Sequence, residues 1–534
     1  MASKIISISE FLSALSESCI SLPQVYTAIG GFVSGGHPEY LTYSIENAFV
    51  NSMFSLKNLF LYYAAGQGDK KKRGINHLAH EGLTIGAIGG HWGLAPKLGE
   101  MALENKIIAY NIPQGVISKS FRSIASRELY VDTHVGLETF VDPRIEGGMI
   151  NEMTRNIDKG DIVQAVKAKI GNREVELLRY FMRPLHIALL KGTIADYEGN
   201  VSLKREPFSP DTLAIAQAVY NSGGKVFVQA EEISEELLSR TEHPMSIAIP
   251  GFLVSGVIKA PEEFCMQTFT KKYEPLFCSG EACSEAANNK ISIERRIIGA
   301  RALEELRHIT GRGEKPICNL GIGMPEAVSV CAAEQGMLGR IVLSVEVGPN
   351  GGIAAGGLNF GAMYSPSSII PQNNQFDFYQ GSGLDFSALG MAETDMEGNV
   401  NVSRFGKVLA GCGGFIDISQ NTKNIVFVGT MTSGGLEIGI EGGKLRILKE
   451  GSHRKFTRKV EQITFSGKYA RKTRQNIKYV TERCVFELGE NGIELAEIAP
   501  GVDIERDIQR QVDFELKLKK PVSELVNPDY FKGC

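Results

Sequence analysis

Two related open α/β domains, each a mostly parallel sheet flanked by helices, are predicted for this 534-residue sequence from three observations. Short apolar runs alternate with helical segments, the pattern of βαβ units feeding a parallel sheet. The chain is longer than one hydrophobic core usually serves. The second half also repeats the first. Cys318 to Glu326 restates the strand, glycine loop and Gly-x-Pro-Glu helix start that ends in Gly36-His37-Pro38-Glu39. Asp395-Met-Glu-Gly-Asn-Val400 matches Asp196-Tyr-Glu-Gly-Asn-Val201 at five of six positions, and Asn424 to Val428 echoes Lys225 to Val228. Unequal spacing between the paired motifs means that insertions part the copies, so the repeat is a domain duplication rather than a solenoid. The boundaries read as an N-terminal domain over 1–259, a linker over 260–291 carrying Phe264, Phe269 and Phe277, and a C-terminal domain over 292–534.

The elements justify themselves in order. Ile8, Leu12, Leu15, Cys19 and Leu22 recur at helical spacing, and Ser7 with Glu10 has the spacing of a capping box. Val25 onward reads as a strand, a glycine loop, and a helix opened by Pro38. Asn58 to Tyr63, Leu83 to Gly89, Lys106 to Tyr110 and Val175 to Leu178 continue the strand pattern, and Tyr479 to Leu488 is strand-like near the carboxyl end.

Composition narrows the class. Lys and Arg number 57 against 61 Asp and Glu, a net charge of −4, so no global basic footprint points to nucleic acid. The basic run from Arg454 to Arg474 reads as a solvated face or an attractor for an anionic ligand. Nine cysteines, an odd number with no C-x-x-C pair, read as reduced thiols in a reducing compartment. The first residues lack the basic start of a signal peptide, and no apolar run reaches a membrane span, so a cytoplasmic protein is expected. Fifty-nine glycines come in clusters, which marks loops where backbone turns tightly or approaches a ligand.

The stretch Ile341 to Gly361 draws most of the chemistry. β-branched Ile341, Val342, Val345 and Val347 read as a buried strand, broken at Gly348-Pro-Asn-Gly-Gly352 with Glu346 at the break. A carboxylate at the carboxyl end of a strand lies where open α/β sheets bind ligands, although a rim or capping Glu has the same appearance. Gln114 in Asn111-Ile-Pro-Gln-Gly115 is an amide at a turn. Gly413 and Gly414, read as preceding a strand at Phe415 to Ile418, could aim backbone N–H groups at an oxyanion or simply make a tight turn. His77-Leu-Ala-His80-Glu81 is neither H-E-x-x-H nor H-x-x-E-H and has no evident third ligand, so no metal is expected. Gly66-Gln-Gly-Asp69 and Gly411-Cys-Gly-Gly414 are incomplete as phosphate loops.

Val345-Glu-Val-Gly-Pro-Asn-Gly-Gly-Ile-Ala-Ala-Gly-Gly-Leu-Asn-Phe-Gly361 resembles the active-site signature of class I coenzyme A transferases, in the acetate/propionate branch that fuses both halves in one chain. Asn76-His-Leu-Ala-His-Glu-Gly82, Gly89-Gly-His-Trp-Gly93, Pro113-Gln-Gly-Val-Ile-Ser118, Leu320-Gly-Ile-Gly-Met-Pro325 and Gly413-Gly-Phe-Ile-Asp-Ile-Ser-Gln-Asn421 extend the likeness along the chain. The resemblance implies a NagB/RpiA/CoA-transferase-like fold and Glu346 as nucleophile. It also implies an oxyanion hole drawing on backbone around Gly413 and Gly414, and Gln114 holding the carboxylate substrate. Coenzyme A contacts would come from Gly321, Ile322, Gly323 and Met324.

The implied activity is transfer of coenzyme A between acyl-CoA thioesters and short acids such as acetate, propionate and butyrate. Acyl-CoA is a substrate and no cofactor is held permanently. A homodimer or homotetramer is expected, with no nucleic acid and no membrane partner. A succinyl-CoA-dependent 3-oxoacid CoA-transferase is the nearest alternative, disfavoured by the Gly-Pro-Asn-Gly-Gly loop. A sugar-phosphate isomerase needs a base in one compact domain, and a metabolite sensor leaves Glu346 and the Gly413-Gly414 pair without a joint role. A carboxylate with a pKa of about 4.3 is already anionic at neutral pH, so no Ser-His or Cys-His arrangement has to be found. The acyl pocket is expected near Phe376, Phe378 and Tyr379. No role attaches to Asn350.

Overall fold

The computed structural model describes residues 3–158, 160–281, 291–310, 315–524 and 530. Cys283, Cys534 and the polar run Ser284 to Lys290 lie outside the described residues. The chain divides into two compact units, one of Met1–Ala282, Val345–Asp377 and Gly406–Asp417, the other of Cys283–Ser344, Phe378–Phe405 and Ile418–Cys534.

The first unit is built on seven strands, β1 (Val25–Ile29), β2 (Leu59–Tyr63), β3 (Thr84–Gly89), β4 (Ile108–Asn111), β5 (Ile187–Asp196), β6 (Lys225–Ser234) and β7 (Gly256–Lys259). Their order is β7-β6-β5-β1-β2-β3-β4, and every pairing is parallel. All five residues of β2 are buried, which is why its sequence, Leu-Phe-Leu-Tyr-Tyr, runs apolar without alternating. Helices α1 (Ile8–Ser21) and α2 (Glu39–Val50) contribute Phe11, Leu15, Leu41 and Ile45 to the core against this sheet. The capping box forms as expected: Ser7 N–H donates to Glu10 Oε2 at 2.7 Å, and Glu10 N–H donates to Ser7 Oγ at 3.2 Å. Two further helices matter below, α3 (Gln114–Ala125) and α4 (Thr212–Asn221).

One predicted strand falls elsewhere. Val175 to Leu178 belongs to Arg173–Phe181, which pairs antiparallel with Val163–Ile170 and Tyr130–Thr133 in a separate three-stranded sheet. Arg173 and Glu174 at its start are exposed, and Leu178 and Tyr180 further along are buried.

The second unit has β8 (Ile317–Leu320), β9 (Val342–Ser344), β10 (Phe386–Gly390), β11 (Asn424–Val428) and β12 (Asn476–Val480) in the parallel order β9-β8-β10-β11-β12. Antiparallel β13 (Cys484–Gly489) and β14 (Gly492–Ile498) extend it, followed by β15 (Leu518–Glu524) alongside β14. Tyr479 to Leu488 is therefore a hairpin rather than one strand. Helix α5 (Ile293–Thr310) is tied down by buried Arg301, which pairs with Glu305 at 2.8 Å and Glu497 at 2.5 Å. Helix α6 (Glu326–Glu334) follows the Gly321 loop.

The duplicated hexapeptides fold alike. Asp196 Oδ1 accepts from the N–H of Glu198 and Asn200, and Asn200 Nδ2 donates to Asp196 Oδ2 at 2.9 Å. Asp395 does the same with Glu397, Asn399 and the Asn399 side chain at 3.0 Å. Gly199 (φ +88°) and Gly398 (φ +83°) occupy the left-handed position in each turn.

The compact units do not follow the predicted boundaries. Residues 260–281 belong to the first unit, and so do 345–377 and 406–417 from the predicted C-terminal domain. The reason is packing: Val347, Ala355 and Ala362 share a buried cluster with Phe32, Phe208 and Phe277. Among the described residues no helix is long and apolar enough to cross a membrane.

Candidate active site

Glu346 lies two residues beyond β9, in a loop that belongs to the first unit. The strand is shorter than its β-branched composition suggests, because the chain turns at once: Gly348 N–H donates to Val345 O, and Val345 N–H to Pro349 O, both at 3.0 Å. Gly348 has φ +118°, and a Cβ there would run into the Ile370 carbonyl. Pro349–Asn350 then pairs antiparallel with Ser368–Ile369. Asn350 acquires a structural role that the sequence did not suggest. Its Nδ2 donates to Gly348 O at 2.7 Å and to Gln375 Oε1 at 3.0 Å, bracing the loop.

Within that frame the Glu346 side chain is 9% exposed, and its Oε2 is buried with no hydrogen-bond partner. Burial raises the carboxyl from its ordinary 4.5 to about 7, against a lowering contribution from its own backbone N–H. An uncompensated carboxylate is expensive to bury, and structural Glu residues normally have partners.

The segment Ala410 to Asp417 reaches the same place by backbone bonding. Ala410 O accepts from Trp92 N–H at 2.7 Å and Gly93 N–H at 3.0 Å, and Cys412 N–H donates to Asn111 Oδ1 at 2.9 Å. Gly413 N–H donates to Gly90 O at 2.7 Å, while Gly413 O accepts from Gln114 N–H at 2.9 Å. Gly413 is thus fully engaged. Among the described residues no hydrogen bond occupies the Gly414 N–H. A Cβ on Gly414 would stand 3.3 Å from Glu346 Cγ and 3.0 Å from the Phe376 ring, so a side chain there would crowd the carboxylate and the ring. The predicted strand after these glycines is instead the short helix Phe415–Ser419.

Gln114 is the first residue of α3 and is 3% exposed. Its Oε1 lies 3.8 Å from where a Gly413 Cβ would be, and its Nε2 faces Gln372 Oε1 at 3.5 Å. His91 stands beside Gly413 as well, its Cβ 3.7 Å from the same point. The His91 Nδ1 is buried without a partner, and burial pushes the imidazole down to about 4, so the ring is neutral. Nothing in the order of residues singled out His91 beyond its flanking glycines.

The structure therefore assembles Glu346, Gly413, Gly414 and Gln114 in one unit and adds His91 and Phe376. Gly321, Ile322, Gly323 and Met324 lie in the other unit, on the loop after β8. Gly321 N–H donates to Ala388 O at 2.9 Å, Gly323 has φ +81° with its O accepting from Arg295 Nη2 at 2.5 Å, and Ile322 is 51% exposed. Of the three aromatics expected at the acyl pocket, Phe376 lies in this unit, against Gly414, and the other two belong to the second unit. Tyr379 is buried in the second unit against Ser344 and Asn319, and Phe378 lies against Gly383.

The remaining motifs have structural uses. His77 bridges Glu39 at 3.0 Å and Glu46 at 2.5 Å, and His80 contacts Glu46 at 2.7 Å. Asp69 Oδ1 accepts from the consecutive N–H groups of Lys71, Lys72 and Arg73, so this turn is filled by its own carboxylate rather than left for a phosphate.

A coenzyme A transferase family profile matches residues 24–260. The chain is 40% identical over 471 residues to acetate CoA-transferase YdiF of Escherichia coli K12, covering 86% of this chain and 85% of that protein. It is 37% identical over 524 residues to a caffeate CoA-transferase of Acetobacterium woodii, covering 97% and 96%. The crystal structure of the E. coli O157:H7 acyl-CoA transferase YdiF, as a thioester complex with CoA, superposes with a TM-score of 0.87 at 34% identity, covering 99% of this chain and 96% of that one.

Proposed function

The chain belongs to the coenzyme A transferase family and transfers coenzyme A between acyl-CoA thioesters and carboxylates, and on that premise we propose that it serves short monocarboxylic acids of the acetate, propionate and butyrate type through covalent chemistry on Glu346. The observation that carries this reading is the buried, unpartnered Glu346 Oε2, on a side chain whose Cγ lies 3.3 Å from the Cβ position of Gly414.

The reaction is a sequence of acyl transfers without net proton movement. The Glu346 carboxylate attacks the thioester carbonyl carbon, the C–S bond breaks, and CoA leaves as thiolate from an acyl-glutamyl anhydride. The thiolate attacks the glutamyl carbonyl, which frees the first acid as carboxylate and leaves a glutamyl-CoA thioester. A second carboxylate attacks that thioester and runs the steps in reverse, restoring Glu346. Desolvation makes the Glu346 anion a better nucleophile than a hydrated carboxylate. The Gly414 N–H serves as an oxyanion donor, with Gly413 holding its neighbour in place through Gly90; one such donor is worth about 2.7–4 kcal/mol. The neutral His91 and the Gln114 amide supply polar groups beside Gly413. The glycine loop Gly321 to Met324, held open by Arg295, binds coenzyme A.

The protein works in the cytoplasm as a homodimer or homotetramer, in keeping with the symmetry of most large soluble enzymes. Light scattering of active enzyme at micromolar concentration tests the assembly, and a strictly monomeric species would overturn it. Incubation with acetyl-CoA and labelled propionate tests the reaction: label must enter propionyl-CoA. Acyl-CoA alone must leave a CoA-sized adduct on intact protein, mapping to Glu346. A steep preference for succinate, acetoacetate or an aromatic acid such as caffeate over propionate would reject the short-acid assignment, since a hydrophobic pocket discriminates a methylene by only about 1–3 kcal/mol.

A further inference from the structure

Asp211 is the N-cap residue of α4, yet its side chain makes no capping bond, and its backbone is left-handed at φ +57°. Aspartate at this position ordinarily stabilises a helix by about 1 kcal/mol, and a left-handed non-glycine residue is strained. The carboxylate, 2% exposed, is turned instead toward α3 and α7 (Gln372–Gln380). Ser118 Oγ donates to Asp211 Oδ1 at 2.5 Å, Gln372 Nε2 donates to Oδ2 at 2.5 Å, and the Asn373 backbone N–H also donates to the carboxylate. Ser118 lies one helical turn beyond Gln114 on the same face of α3.

This arrangement decides the direction of two amides. An ionised carboxylate can only accept, so Gln372 must present its NH2 end to Asp211 and its oxygen away from it. That oxygen can only accept in turn, and the group it faces is Gln114 Nε2, at 3.5 Å. One Gln114 proton is thereby directed to Gln372, and the second is left for a substrate oxygen. Without Asp211 both amides could rotate by half a turn at little cost.

We propose that Asp211 is a positioning residue that acts through Gln372 to fix the orientation of the Gln114 amide beside Gly413, and so the affinity for the carboxylate acceptor. The inference rests on the proposed role of Gln114 in holding that acceptor. It explains why a strained aspartate gives up its capping bond.

The test is a double-mutant cycle on the full chain, reading kcat and the KM for propionate with acetyl-CoA as donor. Gln114→Met should raise that KM by about tenfold or more. Asp211→Gly, which takes the left-handed backbone without strain, should raise the same KM by about tenfold in the wild-type background and not at all in Gln114→Met. Asp211→Asn keeps an acceptor for Gln372, because the Ser118 hydroxyl can rotate to accept its N–H, and should restore most of the affinity. Gln372→Met, which leaves the Asp211 backbone alone, must show the same non-additivity with Gln114→Met. Equal factors in both backgrounds, or lost thermal stability with an unchanged KM, would overturn the relay. An unchanged KM in Gln114→Met alone would reject the role of Gln114 itself, and the relay with it.

Discussion

The glycine loop after the first central strand is built twice, and the two copies end in opposite states. In the first unit seven residues, Gly30 to Gly36, precede His37; in the second only three, Gly321 to Gly323, precede Met324. The longer copy is locked. His37 is 3% exposed, with Nδ1 at 2.6 Å from Gln67 Oε1 and Nε2 at 2.9 Å from Thr42 Oγ1. The shorter copy exposes Ile322, with Gly321 N–H on Ala388 O and the Gly323 carbonyl accepting from Arg295 and the Glu326 N–H. The next strand differs in the same way. Ala28 pairs with Tyr62 and Asn319 with Ser344 at equivalent steps, so the position two residues on is Ala64 in one copy and Glu346 in the other. One duplicated scaffold thus carries a closed loop and an alanine, or an open loop and a glutamate. Duplication kept the sheet and divided the labour.

The most severe way to break this asymmetry is to make the second copy like the first. Glu346→Ala, and equally the isosteric Glu346→Gln, should abolish CoA exchange and the covalent adduct. Glu346→Asp withdraws the anion by one methylene, and a misplacement of ~1 Å can cost ~10²-fold. Exchange persisting in Glu346→Gln would end the covalent mechanism.

A second expectation concerns stability against pH. The folded Glu346 value, about 7, lies above its ordinary 4.5, so folding favours the protonated form. Its contribution is intact below pH ~4.5 and is lost as pH rises through ~7, by about 3 kcal/mol in total. Glu346→Gln should therefore match wild type near pH 4.5 and be more stable at pH 8 in calorimetry or denaturant titration. The same titration should make wild-type exchange with acyl-CoA rise with pH and level off above about 7.

Alanine at equivalent glycines should then separate the copies. A Cβ on Gly36 (φ +63°) would stand 2.8 Å from Pro210 Cγ, so Gly36→Ala should destabilise by about 2–3 kcal/mol. A Cβ on Gly323 meets nothing within 4 Å. Gly323→Ala should lose only about 1–2 kcal/mol for its left-handed backbone, while raising the KM for acyl-CoA. Equal stability losses and unchanged acyl-CoA affinity would contradict the contrast between a locked loop and a binding loop.

The smallest difference is expected where the copies agree. Asp196 also accepts from Leu238 N–H at 3.0 Å and Asp395 from Val460 N–H at 3.4 Å, completing matched sets of partners. Asp196→Ala and Asp395→Ala should each destabilise by about 1–3 kcal/mol, and by similar amounts. A large disparity in unfolding would mean that the hexapeptide turns carry unequal loads.

Much of this was legible in sequence because it is local. The apolar runs of β1, β2 and β3, the Ser7–Glu10 capping box and the paired Asp-x-Glu-Gly-Asn turns each follow from residues a few positions apart. The site glycines were legible through their pattern, although the helix after Gly414 was read as a strand, since Phe-Ile-Asp-Ile is too short to show a helical period. The unit boundaries were not legible. They depend on Val347 and Ala355 packing against Phe32, Phe208 and Phe277, and no local pattern encodes that contact. His91 and Asp211 were missed for a similar reason: burial decides what each does, and burial is a property of the folded chain.

Gly348 constrains how this chain can diverge. The carbonyl of Ile370 fills the space any side chain would need, so the loop that carries Glu346 can drift around position 348 but not at it. A saturation library selected for activity should return one letter there, whatever it returns at Asn350. Any variant that places a side chain at 348 has to begin by moving residue 370, so the loop of Glu346 and the segment around Ile370 can change there only together.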